Sequence, residues 1–179
     1  VLLAQLGADG AKSLTGKITD IAGNASAPGS IINFTLDSTL PLPVFSAATD
    51  DVGTVTGALT SGARTNDTSL ALTGTCEAGS TVNVYNGATL LGAATVSGSG
   101  WSFAATVADG TTYQFNVKET DVAGNTSTAT SNFTVIGDTT APTAVFTAAT
   151  DDVGTVTGAL SSGARTNDTS LALTGTCEA

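Results

Sequence analysis

The sequence predicts an all-β protein built as tandem β-sandwiches, and three observations carry that prediction. Apolar and polar residues alternate with a period of two over long stretches. Clusters of Gly, Asn, Asp and Ser interrupt the alternation at short intervals, as turns between strands do. The third is a self-match: residues 44–78 and 145–179 differ only at Ser46 against Thr147 and at Thr60 against Ser161, an offset of 101 (145 − 44).

The same offset joins Asp20-Ile21-Ala22-Gly23-Asn24 to Asp121-Val122-Ala123-Gly124-Asn125, and Asp37-Ser38-Thr39-Leu40-Pro41 to Asp138-Thr139-Thr140-Ala141-Pro142. The chain therefore divides into the C-terminal part of one repeat at 1–36, a complete repeat at 37–137 and the N-terminal part of the next at 138–179. The two Pro-containing segments are the cut points. Proline restricts its own backbone and that of the residue before it, so each is expected to be a short, stiff linker. A repeat of this length exceeds the roughly 20–45 residues of a solenoid unit and suits an independent domain. The array is expected to be beads on a string, each with its own core. The apolar start, Val1-Leu2-Leu3-Ala4-Gln5-Leu6, lacks a basic flank and does not resemble a signal peptide, so the chain is expected to begin inside a longer protein.

Within the complete bead the strands can be taken in order. The stretch from Asp50 to Thr68 is the least periodic and is expected to be a long connection between the first and second strands. Leu70, Leu72, Gly74 and Cys76 then share one face of a strand, with Ala71, Thr73 and Thr75 on the other. Val82 and Val84 alternate with Asn83 and Tyr85, and Trp101 and Phe103 with Ser102 and Ala104. Tyr113, Phe115 and Val117 alternate with Gln114, Asn116 and Lys118, and Phe133 and Val135 follow. Thr fills outward positions with β-branched, uncharged side chains. Turn signals stand between them at Ala78-Gly79-Ser80, Asn86-Gly87, Ser97-Gly98-Ser99-Gly100, Ala108-Asp109-Gly110 and Ala123-Gly124-Asn125. About seven short antiparallel strands in about 100 residues predict an Ig-like sandwich, with no helix. If strands run alternately up and down, the entering linker, Glu77, Asp121 and Asn125 gather at one end. Asp50, Asp51, Asp67 and Asp109 gather at the other, where the next linker leaves.

Composition removes several functions. With 5 basic and 15 acidic residues the net charge is −10, opposite to a nucleic-acid footprint. There is no His, so the commonest general base and metal ligand is missing, and no Ser/His/Asp or Cys/His arrangement can be built. Acids at domain joints are poorly placed to flank a substrate bond, so a paired-carboxylate hydrolase is not expected, nor any enzyme. Charged residues make up 11% and mean hydropathy is +0.25, unlike a disordered chain. No apolar run is long enough to cross a bilayer. Cys76 and Cys177 occupy the same repeat position, one per copy, so they are read either as small buried residues or as an intermolecular bridge. Trp101 and Phe103 read as core rather than as a sugar-stacking platform. Asn66-Asp67-Thr68 and Asn132-Phe133-Thr134 fit the glycosylation pattern by chance.

The segment Leu72-Thr73-Gly74-Thr75-Cys76-Glu77-Ala78-Gly79, followed by Val82-Asn83-Val84-Tyr85, resembles the signature of bacterial Ig-like repeats. So do Gly100-Trp101-Ser102-Phe103, Ala108-Asp109-Gly110-Thr111, Thr120-Asp121-Val122-Ala123-Gly124-Asn125 and the Asp138-to-Pro142 linker. Cys76 departs from the family's usual Ala, and Lys12-Ser13-Leu14-Thr15-Gly16-Lys17 departs from the later aromatic strand. The resemblance implies a stalk segment of a large, secreted surface adhesin of the biofilm-associated type. It also implies Ca²⁺ at the domain ends. Carried over by motif, the upper site uses Asp37, Glu77, Asp121 and Asn125. Asp138 and Glu178 are the matching part of the next joint, and Asp20 and Asn24 serve the first unit. Carboxylates, amides and loop carbonyls are the oxygen donors that calcium takes. The same residues are also ordinary turn formers. For Asp50, Asp51, Asp67 and Asp109 both readings stand.

Two further functions are compatible with the sequence. The uncharged Thr/Ala-rich faces could bind glycans, host surfaces or one another, with avidity from copy number. The partial end units could also complement each other between chains and polymerise head to tail. Expected partners are thus neighbouring repeats and, in the self-associating reading, other copies, with no nucleic acid and no membrane insertion by this segment.

Overall fold

The computed structural model describes residues 6–177. Glu178, expected as a metal ligand, lies outside the described residues. All regular structure is β, and no helix is long and apolar enough to cross a membrane among the described residues. The chain falls into two compact units that divide between Thr139 and Thr140.

The first unit opens with a hairpin, β1 (Gly10–Leu14) and β2 (Ile32–Leu36), paired from Gly10↔Leu36 to Leu14↔Ile32. The sandwich follows. Its first strand, β3 (Val44–Asp50), pairs with β4 (Gly57–Ala58), and then comes β5 (Ala63–Thr65). Next are β6 (Ser69–Thr75), β7 (Thr81–Asn86), β8 (Thr89–Ala93) and β9 (Thr95–Ser97). The unit closes with β10 (Gly100–Thr106), β11 (Thr112–Thr120) and β12 (Phe133–Gly137). One sheet has the order β4-β3-β6-β10-β9 and the other β5-β12-β11-β7-β8.

Two expectations need correction. The stretch from Asp50 to Thr68 is not an empty connection: it holds β4 and β5, which add one strand to the edge of each sheet. The pairing is also not wholly antiparallel, because β5 runs parallel to β12 through Val135↔Ala63. Neither strand announces itself in the sequence. Each is two or three residues long, shorter than any window in which alternation can be seen.

The alternating faces close one core. Leu70 and Leu72 of β6, Val82 and Val84 of β7, and Phe115 and Val117 of β11 are fully buried. Each such side chain contributes about 1.5–3 kcal/mol relative to exposure. Phe45 bridges the sheets. Its ring stacks on Phe133 at 5.1 Å and meets Trp101 edge-on at 5.7 Å. Trp101 is core, as its place in the alternation implies, and its indole N–H donates to the Val44 carbonyl at 3.1 Å. Gly74 makes this possible: a Cβ there would lie 1.9 Å from the Val44 oxygen and 2.6 Å from the indole.

The second unit contains β13 (Val145–Asp151), β14 (Gly158–Ala159) and β15 (Ala172–Thr176), in the order β14-β13-β15. Their registers repeat those of β3, β4 and β6 at the offset of 101, including the irregularity between Phe45 and Ala47, which recurs between Phe146 and Ala148.

Candidate functional site at the linker ends

The loop after β11 is built from its own residues. Asp121 accepts the Asn125 backbone N–H on Oδ1 at 2.8 Å and the Asn125 side-chain amide on Oδ2 at 2.8 Å. Asp20 and Asn24 form the same loop, with Asp20 Oδ1 also accepting the Ala22 N–H at 2.9 Å. An aspartate that accepts backbone N–H groups a few residues on is a turn-forming device in its own right. In both loops the Asn side chain holds the Asp carboxyl below the ordinary carboxylate value, with backbone donors adding to the effect and desolvation opposing it.

The Asp121 loop also grips the entering linker. The Asn125 amide that binds Asp121 donates to the Asp37 carbonyl at 3.1 Å. On its other side the linker is held by Asp9, whose two carboxylate oxygens accept the hydroxyls of Ser38 at 2.6 Å and Thr39 at 2.7 Å. These hydrogen bonds, the Ser38 side chain first, lower the Asp9 pKa to about 2. Asp9 was not among the expected site residues. The signal was present: Ala8-Asp9-Gly10 repeats the Ala108-Asp109-Gly110 turn, one residue out of step with the 101 offset.

The leaving linker is held in a similar way. Asp109 accepts the Thr139 N–H at 2.5 Å, Asp138 donates its N–H to the Thr65 carbonyl at 2.8 Å, and Arg64 pairs with the Asp138 carboxylate at 3.3 Å. Beside them lies a shallow cleft of about 290 Å³ between Asp50, Arg64 and Asp138. Asp50 and Asp67 are buried and joined through Thr65, whose hydroxyl donates to Asp50 at 2.6 Å and accepts the Asp67 N–H at 3.0 Å. Asp51 is exposed and its N–H leans on Asp67 at 3.4 Å. These carboxylates complete a loop of backbone donors.

One further acid was missed. Glu119 lies within β11 and is fully buried, away from the acids expected at the two ends of the bead. Its Oε1 accepts the Glu77 N–H at 2.6 Å, while Oε2 has no hydrogen-bond partner. The Glu77 side chain itself is exposed. Glu119 continues the inward face of Tyr113, Phe115 and Val117, opposite Asn116 and Lys118, so a charge at an inward position of the alternation was the signal that could have found it.

The oxygen chemistry at the entering linker suits a hard cation. The Asp37 carbonyl and Asp121 Oδ2 converge on one amide nitrogen there. As they stand, however, no three acidic or cysteine side chains among the described residues gather as a metal-holding group. Both cysteines are free. Cys76 is buried, and that burial raises its thiol pKa, whereas Cys177 is exposed.

Residues 40–139 match the family model described as "Bacterial Ig-like domain". Comparison with curated proteins finds no match.

Proposed function

Because the chain belongs to the bacterial Ig-like domain family, we propose that it is a spacer segment of an extracellular bacterial surface protein, one that sets a distant adhesive tip away from the cell and so supports attachment and biofilm formation. One observation supports this above the others: the linker at residues 37–39 is held from both sides, by Asn125 and by Asp9. A joint held in this way resists bending, and near-identical repeats make length scale with copy number. Each bead adds on the order of 35–45 Å, from the length of its strands and loops. No catalytic step is part of this role.

Calcium would stiffen the joint further. Asp37, Glu77, Asp121 and Asn125 would hold it, drawing the exposed Glu77 carboxylate toward the linker. The ion would supply charge neutralisation there, where unscreened carboxylates repel one another. The test is small-angle scattering and thermal melting of the chain with calcium and with chelator. A higher melting temperature and a longer, stiffer particle with calcium are expected. Identical curves would remove calcium from the proposal, and a flexible particle in both conditions would remove the stiff spacer.

A further inference from the structure

Within the complete bead, the sheet of order β4-β3-β6-β10-β9 leaves half of one strand without a neighbour. β10 pairs with β6 along its whole length, from Gly100↔Thr75 to Thr106↔Ser69. On its other side β9 covers only Gly100, Trp101 and Ser102. β9 is this short because the chain just before it, β8, belongs to the other sheet. Where β9 stops, a shallow groove of about 370 Å³ opens, with Leu72, Phe103, Ala93 and Thr95 in its walls.

The hydrogen-bond phase of β10 decides what this gap presents. In an antiparallel pair, alternate residues turn both backbone groups toward the same neighbour. The Val107 N–H donates to the Thr68 carbonyl at 3.0 Å, on the β6 side. Phe103 and Ala105 share that phase. Ala104 and Thr106 therefore turn their N–H and C=O groups to the open side, and both residues are exposed. An open edge is a template for another strand unless charge, proline or a bulge guards it. None of these guards the gap. The β6–β10 register is unbroken. No charged residue and no proline stands between Glu77 and Asp109, in a chain whose net charge is −10.

We propose that two copies of this chain pair edge to edge, antiparallel, through residues 103–107. A second copy is the occupant that phase and charge select. Two-fold pairing about Ala105 sets Ala104 opposite Thr106 of the other copy, and Thr106 opposite its Ala104. The outward-turned groups then meet one another in four backbone hydrogen bonds. The same register keeps the faces matched. Ala104 and Thr106 stay on the outer face, and half-buried Phe103 comes opposite Val107 of the other copy, at the groove. Two acidic chains repel, so they approach at least cost where neither carries charge. The edge is its own complement, so the contact closes as a dimer. It is also small, so a high concentration is needed to populate it.

Light scattering of the whole chain from micromolar to several hundred micromolar tests this, with reductant present so that the exposed Cys177 forms no bridge. The mass is expected to rise toward twice that of the monomer. Thr106→Pro removes an N–H that faces the gap and leaves the bonds to β6 intact, so this variant is expected to stay monomeric. Ala104→Asp places a charge at the exposed edge of each copy and is expected to do the same. Trp101 fluorescence during melting checks that each variant keeps a folded bead. Amide hydrogen exchange reads the register directly. Exchange at Ala104 and Thr106 should slow as concentration rises, while Phe103 and Ala105, already bonded to β6, should not change. A chain that is monomeric throughout would overturn the proposal and leave the edge to a strand of unlike sequence. So would oligomers that survive both substitutions, or association that leaves exchange at Ala104 and Thr106 as it was.

Discussion

Glu119 Oε1 accepts a 2.6 Å hydrogen bond from the backbone N–H of Glu77, 42 residues earlier in the chain. The bond ties the loop after β6 to strand β11 and leaves the second oxygen of a fully buried carboxylate without a partner. Buried charges with an unmet lone pair are costly, and they persist where something else requires them.

Glu119→Gln should therefore stabilise the chain in chelator. The substitution keeps an acceptor for the Glu77 N–H and removes a buried charge, for a gain of about 1 kcal/mol. In a domain of this size that raises the melting temperature by roughly 4–8 °C. Urea and thermal unfolding with chelator present measure it, and a loss of stability would show that the charge has a partner in solution.

Thr65→Val should cost about 2–3 kcal/mol, because it strands both Asp50 and the Asp67 N–H in a buried setting. The counterpart Thr166 makes the same two bonds, to Asp151 at 2.6 Å and from the Asp168 N–H at 2.9 Å, but it is exposed. Thr166→Val should cost well under half as much. Equal losses in denaturant unfolding would mean that burial does not set the strength of this network.

Replacing Asn125 by Ala, together with Asp9→Ala, should loosen the linker without unfolding the sandwich. Asn125 and Asp9 are its two handles, and neither contributes to the apolar core. The radius of gyration should become broader in distribution by scattering, while the fluorescence of Trp101 stays as in the parent. An unchanged scattering curve would show that the handles do not control stiffness.

Stability should fall in acid. Asp121 and Asp9 have depressed values in the folded chain, Asp9 from 3.8 to about 2. A depressed carboxylate contributes stability that is present above its unfolded value and lost as pH falls through the folded one. For Asp9 the contribution is complete above about pH 5 and disappears between about pH 4 and pH 2, and for Asp121 it is lost in the same direction. Asp121→Asn should flatten this part of the profile for the bead, as read by Trp101 fluorescence during urea unfolding at each pH.

What was legible in the sequence is what short segments decide for themselves. The Asp50, Thr65 and Asp67 network recurs at Asp151, Thr166 and Asp168 with the same partners, although the described residues of the second unit form no facing sheet. The Asp121–Asn125 loop recurs at Asp20–Asn24 in the same manner. These hydrogen bonds span a few to about twenty residues, so identical sequence yields identical geometry wherever it stands. The alternation that placed Leu70, Leu72, Trp101 and Phe115 inside is equally local, since a strand's two faces follow from its pleat.

Only the tertiary structure decided what those faces meet. Leu72 is buried and Leu173 is exposed, as Cys76 is and Cys177 is not, from the same residues in the same register. Residues 63–65 become a strand because β12 lies beside them, and residues 164–166 do not. The burial of Glu119, its bond to Glu77 and the grip of Asn125 on Asp37 likewise depend on segments far apart in the chain. Burial removes apolar surface from water only when a second sheet covers the first, and that cover is supplied by strands that no local pattern can bring into place.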